Sequence, residues 1–160
     1  MPYKEYITFH PAHKKGTRRK YNKWIEVIKN LNVNIIQVGG LDENDYSKFG
    51  VNTRYADGTT INQLAYIIKN ARMHLGYDSL PVHLASYFNV PIVAIYNQWS
   101  SHSYPYFSKN NIIIEPDYDA MKIKPCFSNN DPFDLINTID AKLINEAISN
   151  LMKECKICLE

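Results

Sequence analysis

The run Ala71 to Gln98, ARMHLGYDSLPVHLASYFNVPIVAIYNQ, constrains the fold more than any other part of this sequence. A short apolar segment, Met73 to Gly76, ends in the polar turn Tyr77-Asp78-Ser79. Leu80 to Phe88 then carries a helical pattern, with Pro81 in the first turn, where a missing N–H is tolerated. Asn89-Val90-Pro91 ends that helix, and Ile92 to Tyr96 reads as a buried strand. Strand, turn, helix, turn, strand is the repeating unit of a parallel sheet. Its polar turn lies where the C-terminal end of a strand meets the N-terminus of a helix. Ligands of open α/β sheets bind at that edge, and the helix start favours an anion. The residues alone therefore predict a phosphate-bearing ligand at this turn.

The rest of the chain continues the alternation. Tyr6 to Phe9 reads as a strand, followed by the basic segment 12–19. Trp24, Ile28 and Leu31 share one helical face in a helix that begins near Tyr21. Val33 to Val38 is the next strand, and Gly39-Gly40 lets the chain leave it tightly. The acidic run Asp42-Glu43-Asn44-Asp45 reads as a turn that starts a short helix, and Val51 to Tyr55 as a third strand. Thr60 is the expected N-cap of a helix over Ile61 to Asn70, whose predicted buried face is Ile61, Leu64, Ala65, Ile68 and Ala71. After the central run come a loop rich in Ser and aromatic residues, a strand over Ile112 to Ile114, irregular chain from Pro116 to Pro132, and a last helix over Ile139 to Met152. The expected fold is α/β: one Rossmann-like parallel sheet over residues 1–160 with helices on both faces.

A length of 160 residues suits one domain with a real core. A net charge of +2 gives no reason to expect nucleic acid as a partner. The charge is uneven, with Lys14, Lys15, Arg18, Arg19, Lys20 and Lys23 clustered near the start. Such a cluster is either a solvated face or the neighbour of a phosphate or lipid headgroup. No apolar run is long enough to span a bilayer, and MPYKEYITF lacks the shape of a signal peptide, so a cytoplasmic protein is expected. Cys126, Cys155 and Cys158 are expected as free thiols. The Cys155-x-x-Cys158 pair has no second pair to complete a zinc site, and no metal or cofactor is expected.

Several motifs then agree, in order, with one family. Ala71-Arg72, Gly76-Tyr77-Asp78-Ser79-Leu80-Pro81-Val82-His83-Leu84-Ala85 and Val90-Pro91-Ile92-Val93-Ala94-Ile95-Tyr96 resemble the block Gly-Asn-Asp-Ser-Gly-Pro-x-His-Leu-Ala-Ala and its flanks. That block belongs to the C-terminal half of glycosyltransferase family 9, the heptosyltransferases. Tyr6 to Pro11, the helix with Trp24, Gln37-Val38-Gly39-Gly40 and the final helix resemble other blocks of the same domain. The resemblance implies one half of a GT-B fold, the half that binds a nucleotide-diphosphate sugar. It implies sugar transfer to a saccharide or lipid-linked acceptor, without a metal. The acceptor half and its catalytic Asp would be supplied by another domain or partner chain, and a peripheral place at a membrane would suit a lipid-linked acceptor. Four departures touch the ligand edge: Leu80 stands for Gly, Tyr77 for Asn, Ala12-His13-Lys14-Lys15 for a Gly-rich turn, and Asn97-Gln98-Trp99 for Gly-Pro-Thr. They leave open a non-catalytic binding domain with a degenerate donor site, or half of another GT-B-like enzyme such as a nucleotide-sugar epimerase.

Breaking a sugar–phosphate bond develops charge on the leaving diphosphate, so cations and fixed donors are useful there. Under the resemblance, the donor-binding candidates are Lys14, Lys15, Thr60, Asp78, Ser79 and His83. Asp42, Glu43 and Trp99 are candidates for ribose or base contacts. Each has a plainer reading: Asp78 and Ser79 as helix caps, His83 as a packing histidine, and the aromatic group Trp99, Tyr104, Tyr106 and Phe107 as a surface that meets another domain. No residue of the chain is assigned as the catalytic base.

Overall fold

Apolar strand segments of the expected kind pair side by side because both of their faces are covered. The computed structural model describes residues 4–11, 20–40, 45–48, 52–97, 110–119, 121 and 135–155. In chain order the elements are β1 (Ile7–His10), α1 (Trp24–Ile28), β2 (Ile35–Val38), β3 (Thr53–Ala56), α2 (Ile61–Lys69), β4 (His74–Tyr77), α3 (Leu80–Tyr87), β5 (Ile92–Ile95), β6 (Asn111–Ile114), a 3-10 helix (Leu135–Thr138) and α4 (Ala141–Glu154). Among the described residues the strands form one six-stranded sheet in the order β3-β2-β1-β4-β5-β6. Every pairing is parallel. This is the doubly wound Rossmann order, and it reverses between β1 and β4.

Strand alternation divides the core in two. Ile7 and Phe9 of β1, Leu75 and Tyr77 of β4, and Val93 and Ile95 of β5 pack with Trp24 and Val27 of α1 and Ile144 and Ile148 of α4. On the other face Ile36, Val38, Ile92 and Ala94 pack with Ile67 and Ile68 of α2 and Val82 and Ala85 of α3. The expected architecture, a parallel sheet with helices on both faces, is thus present. Most strand and helix ends move by one or two residues from the expected bounds, but α1 begins at Trp24 and ends at Ile28, about three residues inside the helix expected from Tyr21 to Leu31.

Three local expectations are corrected. Ile61 is 67% exposed, because the covered face of α2 begins at Leu64 and Ile61 lies in the turn before it. The last helix begins at Ala141, behind a tighter 3-10 turn, and is capped by Asp140, whose carboxylate accepts from the Lys142 N–H at 2.9 Å. The acidic segment starts no helix at Asp45–Lys48. That stretch is a turn in which Asp45 accepts from the Ser47 N–H at 2.8 Å; hydrogen bonding from the Ser47 side chain first, and from this amide second, lowers the Asp45 pKa. Asp42 and Glu43 fall outside the described residues.

Thr60 is the N-cap of α2. Its hydroxyl accepts from the Gln63 N–H at 3.3 Å, and the Gln63 side chain accepts from the Thr60 N–H at 2.9 Å. This reciprocal pair satisfies two otherwise unbonded amides. Replacing Thr60 by Ala is expected to cost about 1 kcal/mol. The melting temperature would fall by roughly 2–4 °C; an unchanged melting curve would show that the capping box contributes nothing.

Candidate functional site

The strand order reverses between β1 and β4, and in open α/β sheets the ligand crevice lies at the C-terminal ends of the strands at such a reversal. His10, the last residue of β1, stands opposite Gly76, so Tyr77, Asp78 and Ser79 extend past it to form the lip. Gly76 is required by this close approach. A Cβ there would lie 2.9 Å from the His10 carbonyl oxygen, 3.2 Å from His10 Cβ and 3.2 Å from His74 Nε2. Under 3.0 Å from backbone, such a contact would push the two strands apart.

Asp78, Ser79 and His83 come together at the lip. Ser79 is the N-cap residue of α3, in extended conformation, and its side chain makes no capping bond. Its carbonyl oxygen accepts from the N–H groups of Val82 at 3.0 Å and His83 at 3.4 Å. Val82 and His83 thus spend their N–H groups within the helix, and Pro81 offers none, so few backbone donors remain at the start of α3. His83 sits one turn into α3, with Nε2 3.5 Å from Asp78 Oδ1. The imidazole is 45% exposed and the carboxylate 16%. A partly exposed contact of that length adds little stability; it holds the two side chains beside each other at the start of α3.

Tyr77 and Leu80 take different positions at this edge. Strand alternation turns Tyr77 away from α3, and the side chain is buried on the α1 side of the sheet. Its hydroxyl accepts from the Trp24 indole N–H at 3.0 Å and from the Tyr21 backbone N–H. Burial raises its pKa well above the ordinary tyrosine value, so it stays protonated. Tyr77 is thus core and does not fill the lip. Leu80 is 49% exposed at the first position of α3 and presents apolar surface there.

Beneath the lip lies a polar strip on the α2/α3 side. Thr8 Oγ1 lies 2.9 Å from His74 Nδ1, and His74 is fully buried. Burial, with a further contribution from the nearby His10, pushes the His74 pKa down to about 3, so the ring is neutral at ordinary pH. Sequence reading did not single out His10, Gly76 or His74 as a group. The available signal was a histidine within an otherwise apolar strand segment.

The remaining candidates are placed apart or lie outside the description. Thr60 is occupied in capping α2, which packs against α3. Lys14, Lys15, Asp42, Glu43 and Trp99 fall outside the described residues, as do Tyr104, Tyr106, Phe107, Cys126 and Cys158. Of the basic cluster, Lys20 is exposed, while Lys23 donates to the Ile139 carbonyl at 3.1 Å. Among the described residues no three His, Cys, Asp or Glu side chains are grouped to hold a metal ion. Among them, too, no helix is long and apolar enough to cross a membrane.

Comparisons with known proteins agree with this fold. The profile of Glycosyltransferase family 9 (heptosyltransferase) matches residues 4–136. No curated protein sequence matches. The fold is similar to that of ADP-heptose LPS heptosyltransferase II of E. coli, with a TM-score of 0.74 at 16% identity over 96% of this chain and 48% of that one. A glycosyl transferase of family 9 from Veillonella parvula gives 0.73 at 18% identity over 94% and 47%. E. coli heptosyltransferase WaaC, solved with ADP, gives 0.69 at 12% identity over 92% and 44%. The chain therefore spans about half the length of the solved structures it matches.

Proposed function

The chain belongs to glycosyltransferase family 9, the heptosyltransferase family, and on that premise we propose that its β4–α3 lip binds the donor, a nucleotide-diphosphate sugar. The observation that carries this reading is the convergence of Asp78, Ser79 and His83 where the strand order reverses. Ser79, whose hydroxyl is not used in capping, donates to a diphosphate oxygen. His83 donates to the diphosphate or to a sugar hydroxyl, and Asp78 accepts from sugar or ribose hydroxyls. Lys14 and Lys15 supply positive charge, and Asp42, Glu43 and Trp99 contact ribose or base. No metal or cofactor takes part in this reading. The acceptor is a saccharide, free or lipid-linked, and the acceptor half with its base comes from a further domain or a partner chain. A lipid-linked acceptor would bring the protein to a membrane surface.

ADP-linked sugars are the first donors to test, because the similar WaaC was solved with ADP and the similar heptosyltransferase II is an ADP-heptose enzyme by name. GDP-, UDP- and dTDP-linked sugars complete the panel. Saturable binding is expected for at least one, with amide shifts at Asp78 to His83. Asp78→Ala and His83→Ala are each expected to weaken it about tenfold, the effect of losing roughly 1.4 kcal/mol of charge-assisted hydrogen bonding. Leu80 favours a second reading, a binding domain with a degenerate donor site, since an exposed leucine replaces a glycine at the start of α3. Titrations flat for the whole panel would leave that second reading in place.

A further inference from the structure

The segment that leads into α1 and the end of β4 that leads into the lip are tied together through a buried hydroxyl. Tyr77 is the last residue of β4 and directly precedes Asp78 and Ser79. Its hydroxyl accepts from the Tyr21 backbone N–H and from Trp24 Nε1–H at 3.0 Å. Tyr21 and Trp24 belong to the segment Lys20–Trp24, which leads into α1. The far side of this segment is also held. Asn137 accepts from the Asn22 N–H at 2.8 Å and donates to the Lys20 carbonyl at 2.8 Å. The Tyr21 hydroxyl and the Lys23 ammonium both donate to the Ile139 carbonyl, at 3.2 and 3.1 Å. Edge-on contacts of Trp24 with Tyr21 and Tyr77, at 5.1 and 5.5 Å between ring centres, fill the space between.

A buried hydroxyl with two donors converging on it fixes geometry more than one with a single partner, because moving any member leaves another unsatisfied. The 3-10 helix holds one side of the Lys20–Trp24 segment and β4 holds the other. The position of Lys20–Trp24 is thereby set relative to Asp78 by Tyr77.

We infer that Tyr77 is a positioning residue for the donor site: its hydroxyl locks the Lys20–Trp24 segment to the Asp78–Ser79 turn, so that a nucleoside diphosphate at the lip meets both as one unit. This rests on the donor-site reading above. Tyr77 touches no ligand and takes no part in chemistry. The sequence departure from Asn to Tyr at this position is then a structural substitution that braces the lip from below.

The test uses the full chain and the tightest binder among ADP, GDP, UDP and dTDP. In the unaltered protein, amide shifts on binding are expected at Lys20–Trp24 as well as at Asp78–His83; shifts confined to Asp78–His83 would overturn the inference. Tyr77→Phe keeps the ring and removes only the hydroxyl. It is expected to weaken binding at least about fivefold at 15 °C, with circular dichroism confirming the native fold. Tyr6→Phe is the control for a merely structural loss. It removes a buried hydroxyl that donates to the Ile67 carbonyl at 2.8 Å, on the other face of the sheet. It should lower the melting temperature and leave affinity unchanged. Affinity of Tyr77→Phe within twofold of the unaltered protein would sink the positioning role while leaving the donor site standing. Absence of binding by the unaltered protein would instead remove the donor-site reading and this inference with it.

Discussion

Trp24→Ala is expected to destabilise the protein by about 3–5 kcal/mol, the range for removing a large aromatic from a closed core. Trp24 is fully buried at the start of α1, with its ring edge-on to Phe9 and Tyr21 at 5.1 Å and to Tyr77 at 5.5 Å. Each such pair adds about 0.5–1.5 kcal/mol beyond area burial. The indole N–H is also one of the donors to the Tyr77 hydroxyl, so truncation strips a partner from a buried polar atom as well as opening a cavity. The α1 helix has five residues, too few to hold by itself, so it depends on this packing. A loss of that size is a large share of the roughly 5–15 kcal/mol available to a domain. Urea unfolding followed by far-ultraviolet circular dichroism measures it directly. A loss below about 1 kcal/mol would mean that the aromatic cluster joining α1 to β4 does not form in solution.

The order of elements was legible because local signals repeat along the chain. Short apolar segments bounded by Pro, Gly and Asn mark β1, β2, β4 and β5, and Thr60 with Gln63 marks the start of α2. The turn at Asp78–Ser79 was legible for the same reason, since strand end and helix start are adjacent in sequence. The tertiary surroundings of that turn were not. Tyr77 shares an alternation with Met73 and Leu75, which places it on the α1 face. Which donors meet it there depends on β4 pairing with β1, and Tyr21 and Trp24 are more than fifty positions away in sequence. Ile61 carried the right spacing for burial, but spacing cannot say where the cover over a helix ends. His74 sat inside an apolar run and read as strand. Its partner Thr8 is 66 positions distant, so nothing local announced a buried imidazole.

That imidazole makes stability fall in mild acid. His74 has its pKa pushed down to about 3 in the folded protein, first by burial and then by His10. In the unfolded chain its pKa is about 6.5. Between these values the unfolded state binds a proton that the folded state does not, so acid favours unfolding. The contribution is nil above about pH 6.5 and grows by roughly 1.4 kcal/mol for each unit of pH below it, down to about pH 3. At pH 4.5 the cost relative to pH 7.5 is about 3 kcal/mol. Geometry gives the same sign. His74 is fully buried, its Nδ1 faces Thr8 Oγ1, and its Nε2 has no hydrogen-bond partner among the described residues. A protonated ring would bury a charge and a second N–H with nothing to accept it. His74→Leu retains bulk and removes the titration. Its unfolding free energy should change less between pH 7.5 and pH 4.5 than that of the unaltered protein, by about 3 kcal/mol, whatever its absolute stability. Carboxylates contribute equally to both proteins and cancel in the comparison. Parallel stability curves over this range would show that His74 titrates as it does in the unfolded chain, and that the strip beneath the β1–β4 crevice is open to water.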